Sequence, residues 1–556
     1  MVTLIYPLVI QFWRSEKVAK QWNDGIISSI WKNRGDREDL NNHRGITVSS
    51  GVGTIPEEIV DNRIQKNIKF TQFQAGGRKG CSPVDHIFII RGIISYALHT
   101  KKRLILTMYD VEKAYDRADM DDMLYIAWRD GVRGKLWRLT REINTELTAT
   151  IKTKHGNTRT IKRESGGKQG GKIIVTLFSR LMDELSHEMH ENKEVGVTIN
   201  EKEINDLLYV DDALTIAEGQ QQQEKTLNCI NEFAVKHKIK WGPSKCKVLE
   251  IGKHKSINTE WKLGNEIIKG TDCYKYLGDH VNRKGTNNEN INERIEKMKT
   301  STRSIISYGT SSTMRNLKST MLIELHETIS IPSLLNNSES WLLTTTNTQE
   351  LERIEVWALK RILNLPPKTP NAAIRYETGT LFVEVRIDQR QFTYLHKVLQ
   401  RPEEHWTRHM LITLNEIGIG WASEINRKLR EYDLESDWTK IAQRSTGEWK
   451  NEVKKAIEKM NQKKLLSHCF KDRDVQKTKT KYLVSILQSD KYVRTIQQSS
   501  MKLTRIKSKA IIMARSGMLD CANNYRNKYR TTQCKECNKT YDENHRINKI
   551  FQHKQL

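Results

Sequence analysis

The sequence predicts an α+β protein, a strand-bearing first half followed by a helical and basic second half, on three observations. Residues 104–109 (LILTMY) form a short apolar run that ends in Asp110. Residues 206–217 (DLLYVDDALTIA) read as two apolar strands hinged on the acidic turn Asp211-Asp212. After about residue 285 the pattern turns to amphipathic helix. At 556 residues the chain exceeds what one hydrophobic core usually supports, so two to four domains are expected. With 37% hydrophobic residues spread along most of the length, it has enough apolar side chain to bury real cores.

Taking the elements in order, the apolar stretch Met1 to Trp13 lacks a basic n-region and a small-residue cleavage site, so it reads as a packed helix rather than a signal peptide. It is also too short to span a bilayer. A chain that opens within an apolar pattern is expected to be a fragment of a longer reading frame. The two acid-bearing strand segments come next, with no Gly/Ser or Pro-rich linker and no solenoid repeat in the first half. Beyond 285, INERIEKM and MRNLKSTMLIELHETI read as helices, and a further helix is expected from Thr346, with a capping-box spacing to Gln349. Pro366 and Pro367 should stop it, because neither supplies a backbone donor. From about residue 425 onward Lys-rich amphipathic stretches continue, which read equally as solvated helix faces or as a nucleic-acid surface.

The charge is lopsided: 93 Lys+Arg against 67 Asp+Glu give a formal +26, which favours a polyanionic partner, most simply nucleic acid. Charge alone also suits membrane surfaces, acidic proteins, or nothing beyond solubility. Six cysteines lie singly (Cys81, Cys229, Cys246, Cys273, Cys469, Cys521), the pattern of a reducing compartment rather than a secreted disulfide framework. An intracellular location, nucleus or cytoplasm, is therefore expected.

Nucleotide polymerisation needs an activated 3′-hydroxyl and charge neutralisation at the attacking and leaving oxygens, which two divalent ions held by carboxylates provide. Asp110 at a strand end and Asp211-Asp212 in a strand–turn–strand suit that task, since rigid strands fix the oxygens while the turns leave them open. Paired Asp residues are also common at hairpin turns for local reasons. Adjacent acids between apolar strands repel one another, however, and are costly without bound cations.

A colinear series of segments carries a resemblance. WNDGIISSIWKNRGD from Trp22 is followed by NNHRGITVSS around Arg44, QAGGRKGCSPVDHIFIIRGII from Gln74, and MYDVEKAYD from Met108. GGKQGG at 166–171, LFSRLMDEL, YVDD, PSKCKVL with Lys245, YKYLG at 274–278, IPSLLNNSESW and LERIEVWALKRILNLP then continue in order. Over roughly residues 1–400 the chain resembles the reverse transcriptases of non-LTR retrotransposons, the LINE type.

The resemblance implies a right-hand polymerase fold. Fingers and palm would occupy 1–285, a helical thumb and connection 286–400, and a basic helical C-terminal region 401–556. It implies RNA-directed DNA polymerase activity with two Mg²⁺ ions, an RNA template, a DNA primer and dNTPs, and no membrane. Asp110 and Asp211 would bind both metals and Asp212 would complete the cluster. Tyr115 falls at the steric-gate position, where a ring would exclude a 2′-hydroxyl; the alternative is an ordinary core tyrosine. Gln169 would lie against nucleotide and template, Arg44 would meet the triphosphate, and Lys245 would stand near the leaving pyrophosphate. The last two read equally as solvated surface. Asp116 reads as structural.

The chain departs from the family at GKIIVT (171–176), where a small-residue and Pro/Ser segment is usual, and at Gly76-Gly77-Arg78, where the family has Gly-Phe-Arg. Both touch the grip on template and nucleotide, not the acids. A catalytically impaired remnant that only binds RNA or DNA is therefore the second reading. Near the end, Cys534-x2-Cys537 with His545 has the ligand types of a structural zinc site, and it resembles the Cys-Cys-His-Cys element of such retrotransposon proteins. The last cysteine of that element is missing, leaving His553 as the substitute; the alternative is two reduced thiols. No nuclease segment is evident, so target-primed insertion would require a nuclease partner or further sequence.

Overall fold

A computed structural model describes residues 2–32, 35–163, 166–168, 170–192, 194–252, 259–310, 317–470 and 502–516. The chain divides into two compact units, Met1–Gly285 and Thr286–Leu556.

In the first unit β1 (Asp24–Trp31) pairs antiparallel with β2 (His43–Val48) and parallel with β4 (Thr148–Thr153), which also pairs the two-residue strands β5 (Gly156–Asn157) and β6 (Ile161–Lys162). The second sheet is the one that matters for chemistry. It contains β3 (Leu104–Tyr109), β9 (Asp206–Tyr209), β10 (Asp212–Glu218), β11 (Lys247–Ile251), β12 (Glu260–Leu263) and β13 (Glu266–Gly270), in the order β12-β13-β11-β3-β10-β9. Two small hairpins, β7 (Val197–Ile199) with β8 (Lys202–Ile204) and β14 (Cys273–Tyr276) with β15 (Asp279–Asn282), complete the strands.

Every residue of β3 is buried, which explains why its sequence is a continuous apolar run and not an alternation: a central strand covered on both faces needs apolar side chains at every position. Ile105 and Tyr109 join the cluster of Leu177, Phe178, Leu181 and Phe233, contributed by the helices Lys172–Glu191 and Gly219–Lys236. Leu104, Leu106 and Met108 are equally buried from the alternate positions. The long helix Pro83–Thr100 starts at a reciprocal capping box between Ser82 and Asp85, with Pro83 in the first turn. The opening apolar stretch is the helix Val2–Ser15, and its Phe12 packs against Trp22 with ring centroids 5.8 Å apart.

Asp206, at the start of β9, is fully buried. Ser186 Oγ donates to its Oδ1 at 3.1 Å, while Oδ2 is buried with no partner. Burial pushes this carboxyl up to about 8 against the modest pull of Ser186, and burial likewise holds His190 below its usual range. The 3.6 Å approach of His190 Nε2 to Asp206 is therefore a contact between two neutral groups. Because the folded state keeps a proton that the unfolded chain releases near pH 4, stability falls from about pH 4 to about pH 8, at roughly 1.4 kcal/mol per pH unit at the steepest. Asp206→Asn should remove this slope. Its melting temperature should match wild type near pH 4.5 and exceed it by several degrees at pH 8; parallel pH profiles would show that Asp206 is ionised in the fold.

The second unit is helical among its described residues. The helix expected from Thr346 spans Thr345–Ile362, and its capping box joins Thr344 and Asn347, not Thr346 and Gln349. A tertiary contact moves the cap: Asn347 also donates from Nδ2 to Asn288 Oδ1 at 3.1 Å, so the position that closes the box is the one anchored to a neighbouring helix, Asn288–Thr310. The helix ends at Ile362, ahead of Pro366 and Pro367, as their missing donors require. Arg375 is buried between Glu352 and Glu355, the latter at 2.5 Å. Helices on either side of residue 400 pack together: Trp449 Nε1 of Thr446–Phe470 donates to the carbonyl of Phe392, in Val383–Leu399, at 2.9 Å.

Among the described residues, no helix is long and apolar enough to cross a membrane. Cys81, Cys229 and Cys246 are free thiols. Cys534, Cys537, His545 and His553 lie outside the described residues.

Candidate active site

Asp110 follows the last residue of β3, and Asp211-Asp212 turn β9 into β10. The two segments are neighbours because β10 pairs antiparallel with β3, with Ala213 opposite Tyr109. One step beyond that register Asp212 comes opposite Asp110. Strand pairing thus gathers at one sheet end three acids that are a hundred residues apart in the chain.

The β9–β10 turn is tight, with Asp212 paired to Tyr209 across two intervening residues. Val210 takes φ +58°, the first-position conformation that two-residue hairpin turns ordinarily give to glycine. For a β-branched residue this is strained and persists only where the surroundings over-determine it. Gln74 supplies that constraint. Fully buried, it accepts from the N–H of Val210 at 3.0 Å and of Gly76 at 2.9 Å through Oε1, and donates from Nε2 to the Ser179 carbonyl at 3.2 Å. The chain around it lies along β9, with Leu208 N–H donating to Phe73 O and Ala75 N–H to Leu208 O, both at 2.9 Å. Gly76 sits so close that a Cβ there would lie 2.3 Å from the Val210 nitrogen. In the sequence Gln74 only opens a motif; the glycine pair Gly76-Gly77 just after it, ahead of a long apolar helix, is the available sign of backbone meeting backbone.

Three buried or half-buried acids in one place are electrostatically costly. Burial chiefly, then Asp211 and Asp110, push the Asp212 carboxyl up to about 7. Asp211 is raised by burial first and by Asp110 second, against the opposing pull of Arg44 and Lys245. Lys245 is the direct counter-charge, its Nζ 2.5 Å from Asp110 Oδ2. The segment carrying it clamps the same acid, since Gly242 N–H donates to the Asp110 carbonyl at 2.8 Å and Val111 bridges Trp241. Arg44 is exposed on β2 and near enough to act on Asp211.

Tyr115 packs on Phe178 with centroids 5.6 Å apart, and burial followed by the charges of Asp211 and Asp212 raises its phenol, so the ring lies within the acids' electrostatic reach. Tyr274, not singled out from the sequence, lies in the same field: burial and then Asp212 and Asp110 raise its phenol. Its place in YKYLG was the signal.

The glycine loop docks beside Tyr115, Gly167 N–H donating to the Tyr115 carbonyl at 2.9 Å. Gly166 has φ +74°, and a Cβ there would meet that same carbonyl at 2.3 Å. Lys168 is buried, its Nζ bound to the Trp22 carbonyl at 2.7 Å and Asn23 Oδ1 at 3.0 Å. Gln169 lies outside the described residues. Asp116 pairs with Arg163 at 3.0 Å, away from the cluster's role.

Among the described residues no three His, Cys, Asp or Glu side chains form a finished metal-ligating set. Asp110 instead spends one oxygen on Lys245. The donor chemistry nonetheless fits hard divalent cations: three carboxylates, mutually repelling and partly desolvated, with one ammonium in direct contact.

Residues 31–281 match the family model described as reverse transcriptase (RNA-dependent DNA polymerase). The first unit carries a reverse transcriptase domain over these residues. Similar relatives are the Pol polyproteins of the type-1 retrotransposable element R2 from Popillia japonica, 22% identical over 61% of this chain and 47% of theirs, and from Nasonia vitripennis, 27% identical over 37% and 21%. The RNA-directed DNA polymerase from the mobile element jockey of Drosophila melanogaster is 21% identical over 49% of this chain and 30% of its own. The chain thus spans half or less of the length of these relatives. Among solved structures, telomerase from Candida albicans in complex with a fragment of telomeric RNA is similar at 12% identity over 79% of this chain and 67% of that one, with a TM-score of 0.41.

Within this reverse transcriptase domain the departures have visible consequences. Gly77, where the family has Phe, takes φ +69° with a would-be Cβ 3.2 Å from Val175, so a ring at this position would require a different backbone. Arg78 donates from Nη1 to the carbonyls of Thr71 and Gln74, both at 2.6 Å, which commits it to the loop. Where the Pro/Ser segment is replaced, the helix Lys172–Glu191 begins at once, and Glu57 Oε1 accepts from the first N–H groups, Lys172 at 2.7 Å and Ile173 at 3.3 Å.

Proposed function

We propose that this protein is an RNA-directed DNA polymerase that extends a DNA primer on an RNA template with dNTPs. The observation that carries the reading is the gathering of Asp110, Asp211 and Asp212 at the end of β3 and the β9–β10 turn. In this proposal the three acids hold two Mg²⁺ ions, which when bound would lower the pKa of the primer 3′-hydroxyl and neutralise charge on the leaving pyrophosphate. Gln74 and Gly76 fix the turn on which Asp211 and Asp212 stand. Lys245 exchanges its contact with Asp110 for the leaving group, and Arg44 meets the triphosphate as a charge-assisted donor. Gln169 lies against nucleotide and template. We assign fingers and palm to 1–285, thumb and connection to 286–400, and the basic helical region to 401–556, with zinc at Cys534, Cys537, His545 and His553 as the corresponding assignment for the tail.

Support for the polymerase comes from the domain match and from the acids; support for a remnant that binds without turnover comes from Arg78, which is taken up by backbone carbonyls. Primer extension by purified protein on an RNA template with Mg²⁺ separates them: incorporation of dNTPs is expected, and RNA binding without incorporation would establish the remnant.

Tyr115 is assigned as the steric gate. Tyr115→Ala should raise rNTP incorporation relative to dNTP by about tenfold or more, because it removes bulk beside the acids and no charge. Unchanged selectivity in an active variant would leave Tyr115 as a core residue against Phe178.

A further inference from the structure

The second unit contains a cavity of about 800 Å³ whose charged lining among the described residues is cationic. Arg353, Trp357, Lys360 and Arg361 recur at i, i+4, i+7 and i+8 on the helix Thr345–Ile362, so they share one face, and Arg505 of the helix Arg505–Arg515 adds a fourth cation. Among the described residues, no carboxylate lines the cavity and none pairs with these four cations. Elsewhere in this unit Arg375, Arg386 and Arg427 are met by glutamates.

Two of the cations are half-buried, with backbone carbonyls as partners among the described residues. Lys360 Nζ donates to the Pro367 carbonyl at 2.6 Å, and Arg505 Nη2 to the Arg361 carbonyl at 2.8 Å, while Arg505 Nε is buried with no partner. Burial pulls both groups below their usual ranges. Trp357 is half-buried in the wall, with the Arg361 guanidinium 5.8 Å from its ring centroid. The volume suits a nucleotide-sized ligand. An indole beside convergent guanidinium groups is the pairing that holds a strand by phosphate contact and base stacking. With a formal +26 on the whole chain, a polyanionic strand is the occupant that the wider surface also attracts.

We propose that this cavity binds single-stranded nucleic acid, with phosphates against Arg353, Lys360, Arg361 and Arg505 and a base on Trp357. The site is formed by the second unit alone, so the proposal stands independently of polymerase turnover. Full-length wild type and Arg353→Gln/Arg361→Gln would be compared for binding of a fluorescein-labelled uridine dodecamer across salt. Both residues are exposed, so the variant should fold, and matching thermal melts would verify it. The double variant should bind about tenfold more weakly at 0.15 M salt. Its log–log salt slope should be shallower by about 1.4, two phosphate contacts at about 0.7 each for a single strand. A 4-thiouridine dodecamer should cross-link within residues 345–362, and Trp357→Ala should lose that cross-link while Trp357→Phe keeps it. Equal affinity and slope in both proteins would overturn the proposal. So would pyrophosphate binding that the double variant abolishes while dodecamer binding persists, which would make the cavity a site for a free phosphate ligand.

Discussion

Asp211→Asn should abolish primer extension, by about a thousandfold or more, while RNA affinity and its salt dependence stay at the wild-type level. An amide keeps the shape of the turn but removes the negative charge that draws a hard divalent cation, and interactions that stabilise transition-state charge are worth that much in rate. RNA binding is a distributed property of basic surface, and one acid at the end of β9 contributes nothing favourable to it. The fold should also respond with a definite sign. Asp211 is raised first by burial and then by Asp110, so removing its charge relieves an unfavourable neighbour and should leave the metal-free variant at least as stable as wild type. Mg²⁺ should raise the melting temperature of wild type and not of the variant. The decisive comparison measures dNTP incorporation, RNA binding and melting side by side; equal incorporation by the two proteins would remove Asp211 from the mechanism, and inactivity of both with intact RNA binding would establish the remnant.

Gly76→Ala should be nearly as damaging to turnover without touching any charged group. Its Cβ would lie 2.3 Å from the Val210 nitrogen and 2.8 Å from the Tyr209 carbonyl carbon, so the backbone itself must move. Such overpacking costs about 1–3 kcal/mol, and here the displaced atoms carry Asp211 and Asp212. A loss of at least a hundredfold in extension is expected, with the melting temperature lower by several degrees. Gln74→Ala probes the same constraint from the opposite direction. It leaves the buried N–H groups of Val210 and Gly76 without acceptors, at about 1–3 kcal/mol each, and frees a valine held at φ +58° to relax. Wild-type extension by both variants would show that the turn positions itself and that the contact with 73–77 serves packing alone.

Much of this was legible in the chain. Residues 104–109 announced a buried central strand because a strand covered on both faces must be apolar throughout, and Asp110 at its end could only be at the rim. The tetrad at 209–212 announced a hairpin, and acids flanked by apolar strands announced mutual repulsion and costly burial. The periodic pattern after 285 announced helices, and Pro366-Pro367 where one of them stops. These are local matters, decided by side-chain period, backbone donors and the cost of burying charge.

Other features depended on which segments meet. Nothing in 73–77 read alone shows that Gln74 reaches across to hold Val210, or that Gly76 must lack a side chain because another backbone lies against it. The cap of the helix Thr345–Ile362 fell on Thr344 and Asn347 because Asn347 also binds Asn288, a partner 59 positions away. Lys245 neutralises Asp110 across 135 positions, and Asp206 keeps its proton only because packing removes it from water. Sequence by itself determined the elements and the chemistry available to them, since those follow from short-range sterics and polarity; tertiary structure alone decided which acids share a field, which glycine is irreplaceable and which cations converge, since each of these is a distance between residues that the chain holds far apart.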